Sequence, residues 1–154
     1  MCGIIGYTGT ENAEKTVLEG LRALEYRGYD SAGLAVFSDD GTFVTVKCRG
    51  RVEELEKKVM RSPVSGNCGI GHTRWATHGA PDEKNAHPHL SDTLALVHNG
   101  IIDNSLELRR ELEDAGYRFS SETDTECVAH LIDRAYKETK DPAKAIYSAC
   151  SRLC

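Results

Sequence analysis

The chain has 154 residues, a formal net charge of −5, 40% hydrophobic residues and 28% charged residues. This size and composition are typical of a single soluble globular domain, for which we expect a cytoplasmic location. There is no long basic run, no signal-peptide pattern and no apolar stretch of the ~20 residues that a membrane helix needs. Nucleic acid and membranes are therefore not expected as partners.

The first half of the chain predicts a strand, a helix, a hairpin and a second helix. Apolar residues recur on one face of the first helix, and Gly41 ends the turn of the hairpin. In chain order, these elements span residues 2–7, 10–26, 32–37 paired with 42–48, and a short charged helix around 52–59.

The second half predicts two strands, at residues 68–73 and 93–98, with a long polar loop between them, and then three helices. Capping patterns mark the three helix starts, at Asn104 with Glu107, Thr123 with Glu126, and Asp141 with Pro142. We expect the last helix to continue to Leu153. Strands and helices do not alternate strictly, which argues against a doubly wound nucleotide-binding fold.

Cys2 is the first residue that could carry chemistry. If Met1 is removed, Cys2 holds both a thiol and a free α-amino group. The unperturbed pKa of such an amine, roughly 7.7–8.0, makes it a candidate base at neutral pH. The alternative is an ordinary buried cysteine of the first strand, since free cysteines are often part of a core. The other cysteines form no C-x-x-C motif and no pattern of a secreted disulfide framework.

Four further segments are polar or rich in glycine where a core would be apolar. They are residues 26–33, 72–79, 97–100 and 121–126. Taken singly, each has an ordinary explanation. Asn99-Gly100 is a common hairpin turn, and Arg74 could form a surface salt bridge. Asp124 could cap a helix, and Gly28 could end one before a turn.

Cys2-Gly3-Ile4, followed by these four segments in this order, closely resembles the class II glutamine amidotransferases of the N-terminal-nucleophile hydrolase superfamily. Segments 27–31, 74–79 and 85–89 (Asn-Ala-His-Pro-His) are similar to one branch, the glutaminase domains of glutamine–fructose-6-phosphate aminotransferases, or glucosamine-6-phosphate synthases. The resemblance covers nearly the whole chain. It implies an α+β fold of four layers, α/β/β/α.

The resemblance also implies roles for the catalytic residues. Cys2 would attack the side-chain amide of L-glutamine, forming a γ-glutamyl thioester and releasing ammonia, with its own amine as the base. Asn99 and Gly100 would form the oxyanion hole through a side-chain amide and a backbone N–H. Arg27 and Gly28 would orient the terminal cysteine.

Substrate recognition is assigned to five other residues by the same resemblance. Arg74 would pair with the α-carboxylate of glutamine, a task suited to a guanidinium, and Asp124 would hold the α-ammonium. Trp75, Thr77 and His78 would line the glutamine pocket. No metal or organic cofactor is implied.

The family would use the ammonia to convert fructose 6-phosphate into glucosamine 6-phosphate. The partner would then be a phosphosugar isomerase domain or chain, or a self-associating copy, since residues 1–154 contain no such domain. Because the family's glutaminase domain is longer, we expect residues 1–154 to be a truncated one that lacks some strands.

Two alternatives remain open at this stage. One is an inactive or split fragment that needs a partner chain to fold. The other is a metal-binding domain, whose candidate ligands are His72, His78, His87, His89 and Cys68.

Overall fold

The computed structural model describes residues 2–75 and 80–154. This part of the chain forms six strands: β1 Gly3–Thr8, β2 Ser31–Phe37, β3 Phe43–Arg49, β4 Cys68–Arg74, β5 His89–Leu90 and β6 Ala95–Leu96. It also forms five α-helices: α1 Ala13–Leu24, α2 Val52–Arg61, α3 Ser105–Asp114, α4 Thr125–Thr139 and α5 Pro142–Cys150. A single 3₁₀ turn, Glu25–Arg27, follows α1.

The main sheet has four antiparallel strands in the order β1-β4-β2-β3. Its register pairs Gly3 with Thr73 and Ser31 with Arg74. The start of β1 therefore lies beside the end of β4. This pairing brings Cys2 next to residues 74–75, more than seventy positions away along the chain.

One face of this sheet is covered by α1 and α2 and forms the first core. Alternate residues of β2 point into it, as the period of two requires. They pack against apolar side chains of the two helices; the buried members include Val17, Leu21, Leu34, Val36, Leu55 and Val59. An ion pair between Arg22 and the buried Glu56 joins the two helices.

The opposite face of the sheet is polar and turns toward the second half of the chain. Gly71 lies against α1, so its neighbour His72 and the alternate residue Arg74 point away from α1. Segment 85–89 covers this polar face, and Gly33 of β2 lies directly against the carbonyl oxygen of His87.

The second half of the chain has its own core beneath the small sheet of β5 and β6. Helices α3, α4 and α5 supply its buried side chains, including Leu108, Leu112, Cys127, Leu131 and Ala145. The layers thus follow the order helix, sheet, sheet, helix, and the second sheet in the described residues is only two short strands. The predicted α+β class is confirmed.

Most predicted elements are present, but the strand at 93–98 is shorter than expected. Only Ala95–Leu96 pairs with a neighbour, and the residues that follow leave the sheet and reach the polar face. The helix predicted to run to Leu153 ends at Cys150. Leu153 packs instead against the second core.

The capping predictions are correct for one helix of three. Asp141 accepts hydrogen bonds from the first amides of α5, as predicted. At α3, the Asn104 side chain bonds to the backbone of Arg152 and Cys154 instead of capping its own helix. At α4, the residue before the helix is Asp124, and its side chain makes no capping bond.

None of the helices in residues 2–75 and 80–154 is both long enough and apolar enough to cross a membrane.

Candidate active site

A cavity of about 340 Å³ opens where β1 begins and β4 ends. Seven residues singled out from the sequence line it: Cys2, Arg27, Arg74, Trp75, Asn99, Gly100 and Asp124. They come from both halves of the chain. The cavity therefore lies between the polar face of the main sheet and the second core.

Cys2 is half-buried at the edge of this cavity, and its sulfur contacts the backbone of Trp75. The Trp75 N–H donates to Cys2 Sγ over 3.2 Å, and the thiol lies 3.6 Å from the Trp75 carbonyl oxygen. Cys2 is not a core residue, which contradicts the alternative of an ordinary buried cysteine. A backbone donor therefore faces the sulfur, on which negative charge develops when the thiol loses its proton.

Asn99 lies beside Cys2 and is held by two hydrogen bonds. Its Nδ2 donates to the Cys2 carbonyl oxygen over 3.2 Å, and its Oδ1 lies 2.9 Å from Nε2 of His72. Burial lowers the pKa of His72 to about 4, although the bond to Asn99 opposes the shift. His72 is therefore neutral at pH 7 and donates through Nε2, which leaves the Asn99 amide N–H directed toward the nucleophile.

Gly100 packs against the imidazole of His98. A Cβ built at Gly100 would lie 2.6 Å from His98 Nε2, and the other ring nitrogen of His98 lies 3.2 Å from Thr125 Oγ1. A side chain at position 100 would have to displace this ring. No strand follows Gly100 in the next residues, so the alternative of a hairpin turn at Asn99-Gly100 is wrong.

Arg74 and Asp124 are buried residues of opposite charge that line the same cavity. The Arg74 Nη1 donates to the Ala80 carbonyl oxygen over 3.2 Å. Asp124 Oδ2 accepts the backbone N–H of Ile102 at 2.9 Å. Arg74 is only 4% exposed, which contradicts the alternative of a surface salt bridge.

Arg27 and Gly28 lie on the sheet side of the cavity. Arg27 lines the cavity, and its Nε donates to the Tyr26 hydroxyl. A Cβ at Gly28 would lie 2.7 Å from the backbone carbonyl carbon of Arg74, so this position requires glycine for close approach of two backbone segments. Gly28 therefore fixes the end of β4 from which Arg74 and Trp75 extend.

Trp75 is 48% exposed at the rim of the cavity and contacts the ring of Tyr29 edge-on, with centroids 5.3 Å apart. The two other residues predicted to line the pocket, Thr77 and His78, lie outside the described residues, as does Met1.

Three of the histidines proposed as metal ligands, His72, His87 and His89, pack against one another as rings, and the fourth, His78, lies outside the described residues. His72 and His87 stack with centroids 4.2 Å apart, and His87 meets His89 edge-on at 4.6 Å. Cys68 lies at the opposite end of β4 from the cavity. Within the described ranges, no group of three or more His, Cys, Asp or Glu side chains could hold a metal ion.

In the sequence, His72, His87 and His89 are candidate metal ligands only, and His98 has no predicted role. The structure places all but His89 in the lining of the cavity. A signal was available for His72, because strand alternation puts it on the same face of β4 as Arg74. No local pattern indicated that His98 would pack under Gly100.

Solved structures of known proteins share this fold, and two of them illustrate it. One is the glutamine phosphoribosylpyrophosphate amidotransferase of Bacillus subtilis complexed with ADP and GMP, with a TM-score of 0.82 and 31% identity. The other is described as the allosteric regulatory enzyme of purine biosynthesis, with a TM-score of 0.83 and 32% identity. Each match covers 99% of this chain and 33% of the other. The architecture is therefore that of the N-terminal-nucleophile amidotransferases.

Sequence comparison narrows this class to a family. A family model described as a glutamine amidotransferase domain matches residues 72–148. Similar proteins include the glutamine–fructose-6-phosphate aminotransferases (isomerizing) of Pseudomonas syringae pv. tomato, 53% identical over 154 residues, and Thermus thermophilus, 55% identical over 139 residues. The chain belongs to the glutamine amidotransferase family. The two alignments cover 99% and 89% of this chain, but only 25% of the P. syringae protein and 23% of the T. thermophilus protein.

Proposed function

We propose that the chain hydrolyses L-glutamine to L-glutamate and ammonia through a thioester on Cys2. The observation that carries this proposal is that one cavity holds a thiol, an amide donor beside it, and two buried side chains of opposite charge. Glutamine offers a complementary set of groups: an electrophilic side-chain amide at one end, and an α-carboxylate with an α-ammonium at the other.

Binding would use the charged end of glutamine. Arg74 supplies a guanidinium for the α-carboxylate, and Asp124 supplies a carboxylate for the α-ammonium. Both side chains are already held by backbone groups, Arg74 by Ala80 and Asp124 by Ile102. Little side-chain freedom is therefore lost when the substrate binds.

Chemistry would take place at the amide end. The Cys2 sulfur attacks the amide carbon while the α-amine exposed by removal of Met1 takes the thiol proton. The Asn99 amide and the Gly100 N–H donate to the oxyanion of the tetrahedral intermediate. That intermediate expels ammonia, which leaves with the proton held by the amine, and water then hydrolyses the thioester to release glutamate.

The destination of the ammonia is a further part of the proposal. We infer from the relatives named glutamine–fructose-6-phosphate aminotransferase that it serves to make glucosamine 6-phosphate from fructose 6-phosphate in the cytoplasm. The chain spans about a quarter of those relatives, so a phosphosugar isomerase domain or chain would bind the sugar.

Substitution of the nucleophile tests the proposal. We expect Cys2→Ala to abolish ammonia release from glutamine, since no other described thiol lines the cavity. The melting temperature should hardly change, because Cys2 is half-buried at the cavity edge. The matched control is Cys68→Ala, at the far end of β4, which should keep full activity. Ammonia release by the Cys2→Ala protein would contradict the assignment.

A blocked amino terminus tests the base separately. An uncleavable extension in front of Cys2 should reduce ammonia release almost as much as Cys2→Ala, because it removes the free amine and crowds the cavity. Full activity of the extended protein would show that a different group takes the thiol proton.

A further inference from the structure

Segment 85–89, Asn-Ala-His-Pro-His, is buried along its whole length and packs behind the cavity. The roles proposed so far involve none of its residues. Three of its side chains are polar, and each contacts a segment that carries a proposed site residue. Segment 85–89 therefore makes specific polar and ring contacts with the segments that carry site residues.

Asn85 is fully buried and connects two of these segments. Its Nδ2 donates to the Ala80 carbonyl oxygen over 3.2 Å, which is the oxygen that also accepts from Arg74 Nη1. Its Oδ1 accepts the backbone N–H of Glu122 at 2.8 Å. The Asn85 side-chain amide therefore connects the Ala80 carbonyl oxygen, which binds Arg74, with segment 121–126, which carries Asp124.

Two neighbouring residues, His89 and Glu126, also hold segment 121–126 in place. His89 Nε2 lies 2.9 Å from the hydroxyl of Thr123, directly before Asp124. Glu126 accepts hydrogen bonds from the backbone and hydroxyl groups of Ser120 and Ser121. Although burial opposes its ionisation, the bonds from Ser121 and Ser120 lower the pKa of Glu126, so it stays charged and keeps these bonds.

The side chain at position 85 must be both a donor and an acceptor. An amide provides both on one planar group, whereas a carboxylate keeps only the acceptor and an alanine keeps neither. The backbone N–H of Asn85 donates to Asp82 Oδ1 over 2.9 Å, and this bond fixes the backbone position from which the side chain extends.

We propose that Asn85 is a positioning residue for glutamine recognition, which fixes the separation between Arg74 and Asp124. This inference rests on the proposed function, in which those two residues bind the α-carboxylate and the α-ammonium. Asn85 makes no hydrogen bond to Cys2 or Asn99. Asn99 is held instead by His72 and by the Cys2 carbonyl oxygen. Loss of Asn85 should therefore weaken recognition of the amino-acid end and leave the reaction at the amide largely intact.

The experiment compares Asn85→Ala and the isosteric Asn85→Asp with Asn104→Ala. Asn104 is a matched control, because its side chain also joins two backbone groups, those of Arg152 and Cys154, and it does not line the cavity. For each protein we would measure kcat and KM with glutamine, and kcat/KM with glutaramate, the analogue that lacks the α-amino group.

We expect both Asn85 variants to raise the KM for glutamine about tenfold, as the loss of about one effective hydrogen bond would, and to change kcat by less than about threefold. The preference for glutamine over glutaramate should fall by a similar factor, because the Asp124 contact is the one that glutaramate does not use. The Asn104→Ala protein should match the wild type in all three quantities.

The inference and the function on which it rests can fail separately. If the wild-type chain releases no ammonia, or Arg74→Ala leaves KM unchanged, the proposed function is at fault. If wild type and Arg74→Ala behave as expected but Asn85 variants keep the wild-type KM and preference, the inference alone is overturned. Failure of both Asn85 variants to fold would assign Asn85 to stability and would also overturn it.

Discussion

At the scale of single residues, the proposed donors Asn99 and Arg74 are each held by a hydrogen bond to a neighbouring group. His72 is the clearest example, because it is almost fully buried and its neutral ring donates to Asn99 Oδ1. This bond decides which end of the Asn99 amide faces Cys2. A donor that is already aimed at the developing oxyanion needs no reorganisation during the reaction.

Substitution of Asn99 should therefore affect catalysis far more than binding. We expect Asn99→Ala to lower kcat by about 10²–10³, the usual effect of removing one oxyanion donor, with little change in KM for glutamine. Steady-state ammonia release measures both constants. A variant that raised KM and kept kcat would place Asn99 in substrate binding instead.

His72→Phe is the companion variant, because a phenyl ring can still stack on His87 but cannot donate to Asn99. We expect kcat to fall about tenfold when this one hydrogen bond is lost. In the Asn99→Ala background the same change should have almost no further effect on kcat, since its target is gone. Additive losses in the double variant would mean that His72 acts by another route.

At the scale of elements, the site depends on how closely segment 85–89 approaches β2. Gly33 permits this approach, because a Cβ at this position would lie 2.2 Å from the His87 carbonyl oxygen and 3.1 Å from that of Val46. Both neighbours are backbone atoms, so neither can turn away as a side chain could. The two halves of the chain meet at this glycine.

We expect Gly33→Ala to lower the free energy of unfolding by about 1–3 kcal/mol, as overpacking does in a well-packed core. Urea denaturation followed by circular dichroism measures the change. The control is Gly6→Ala in β1, where the nearest atom to a Cβ is Ile70 Cγ2 at 3.9 Å, an ordinary contact. Equal stabilities of the two variants would show that segment 85–89 can shift at no cost.

At the scale of the whole molecule, three buried imidazoles lie between the two halves of the chain. Burial lowers the pKa of His72 to about 4 and also lowers the pKa values of His87 and His89. Neither ring nitrogen of His87 has a hydrogen-bond partner among the described residues. The interface between the layers is therefore built for neutral rings.

This burial makes the stability depend on pH. In the unfolded chain these histidines take up protons near pH 6.5, roughly the unperturbed pKa, whereas in the folded chain they remain neutral to about pH 4. The unfolded state therefore binds more protons between these values, and the free energy of unfolding falls as the pH falls through this window. For His72 alone the loss at pH 5 is about 2 kcal/mol.

We expect urea midpoints to decrease steadily from pH 7 to pH 5, before the carboxylates titrate. His87→Phe removes one of these three buried rings and keeps the stacking surface, so its midpoint should depend less steeply on pH than that of the wild type. A wild-type midpoint that stays constant over this range, or an unchanged slope in the variant, would contradict the expected burial of these rings.

Much of the fold follows from local patterns. The hairpin of β2 and β3, helices α1 and α2, and the start of α5 at Asp141 all agree with the sequence, because strand alternation, amphipathic spacing and capping chemistry act over a few residues. The strand predicted at 93–98 is the main exception. Its pattern is that of a strand, but its last residue, His98, lies 3.2 Å from Thr125 Oγ1 instead of pairing in the sheet. The next residue, Asn99, makes hydrogen bonds to His72 and Cys2.

The sequence by itself determined the class of protein, the thiol at Cys2 and six further residues that line the cavity, since these depend on residue type and order. Only the tertiary structure decided that His72 directs Asn99, that His98 lies under Gly100 and that Asn85 joins the segments of Arg74 and Asp124. Each of these contacts pairs residues that are distant in the chain or oriented by packing. The antiparallel register of β1 with β4, and the packing of the two halves across the polar face of the sheet, bring them within hydrogen-bond distance.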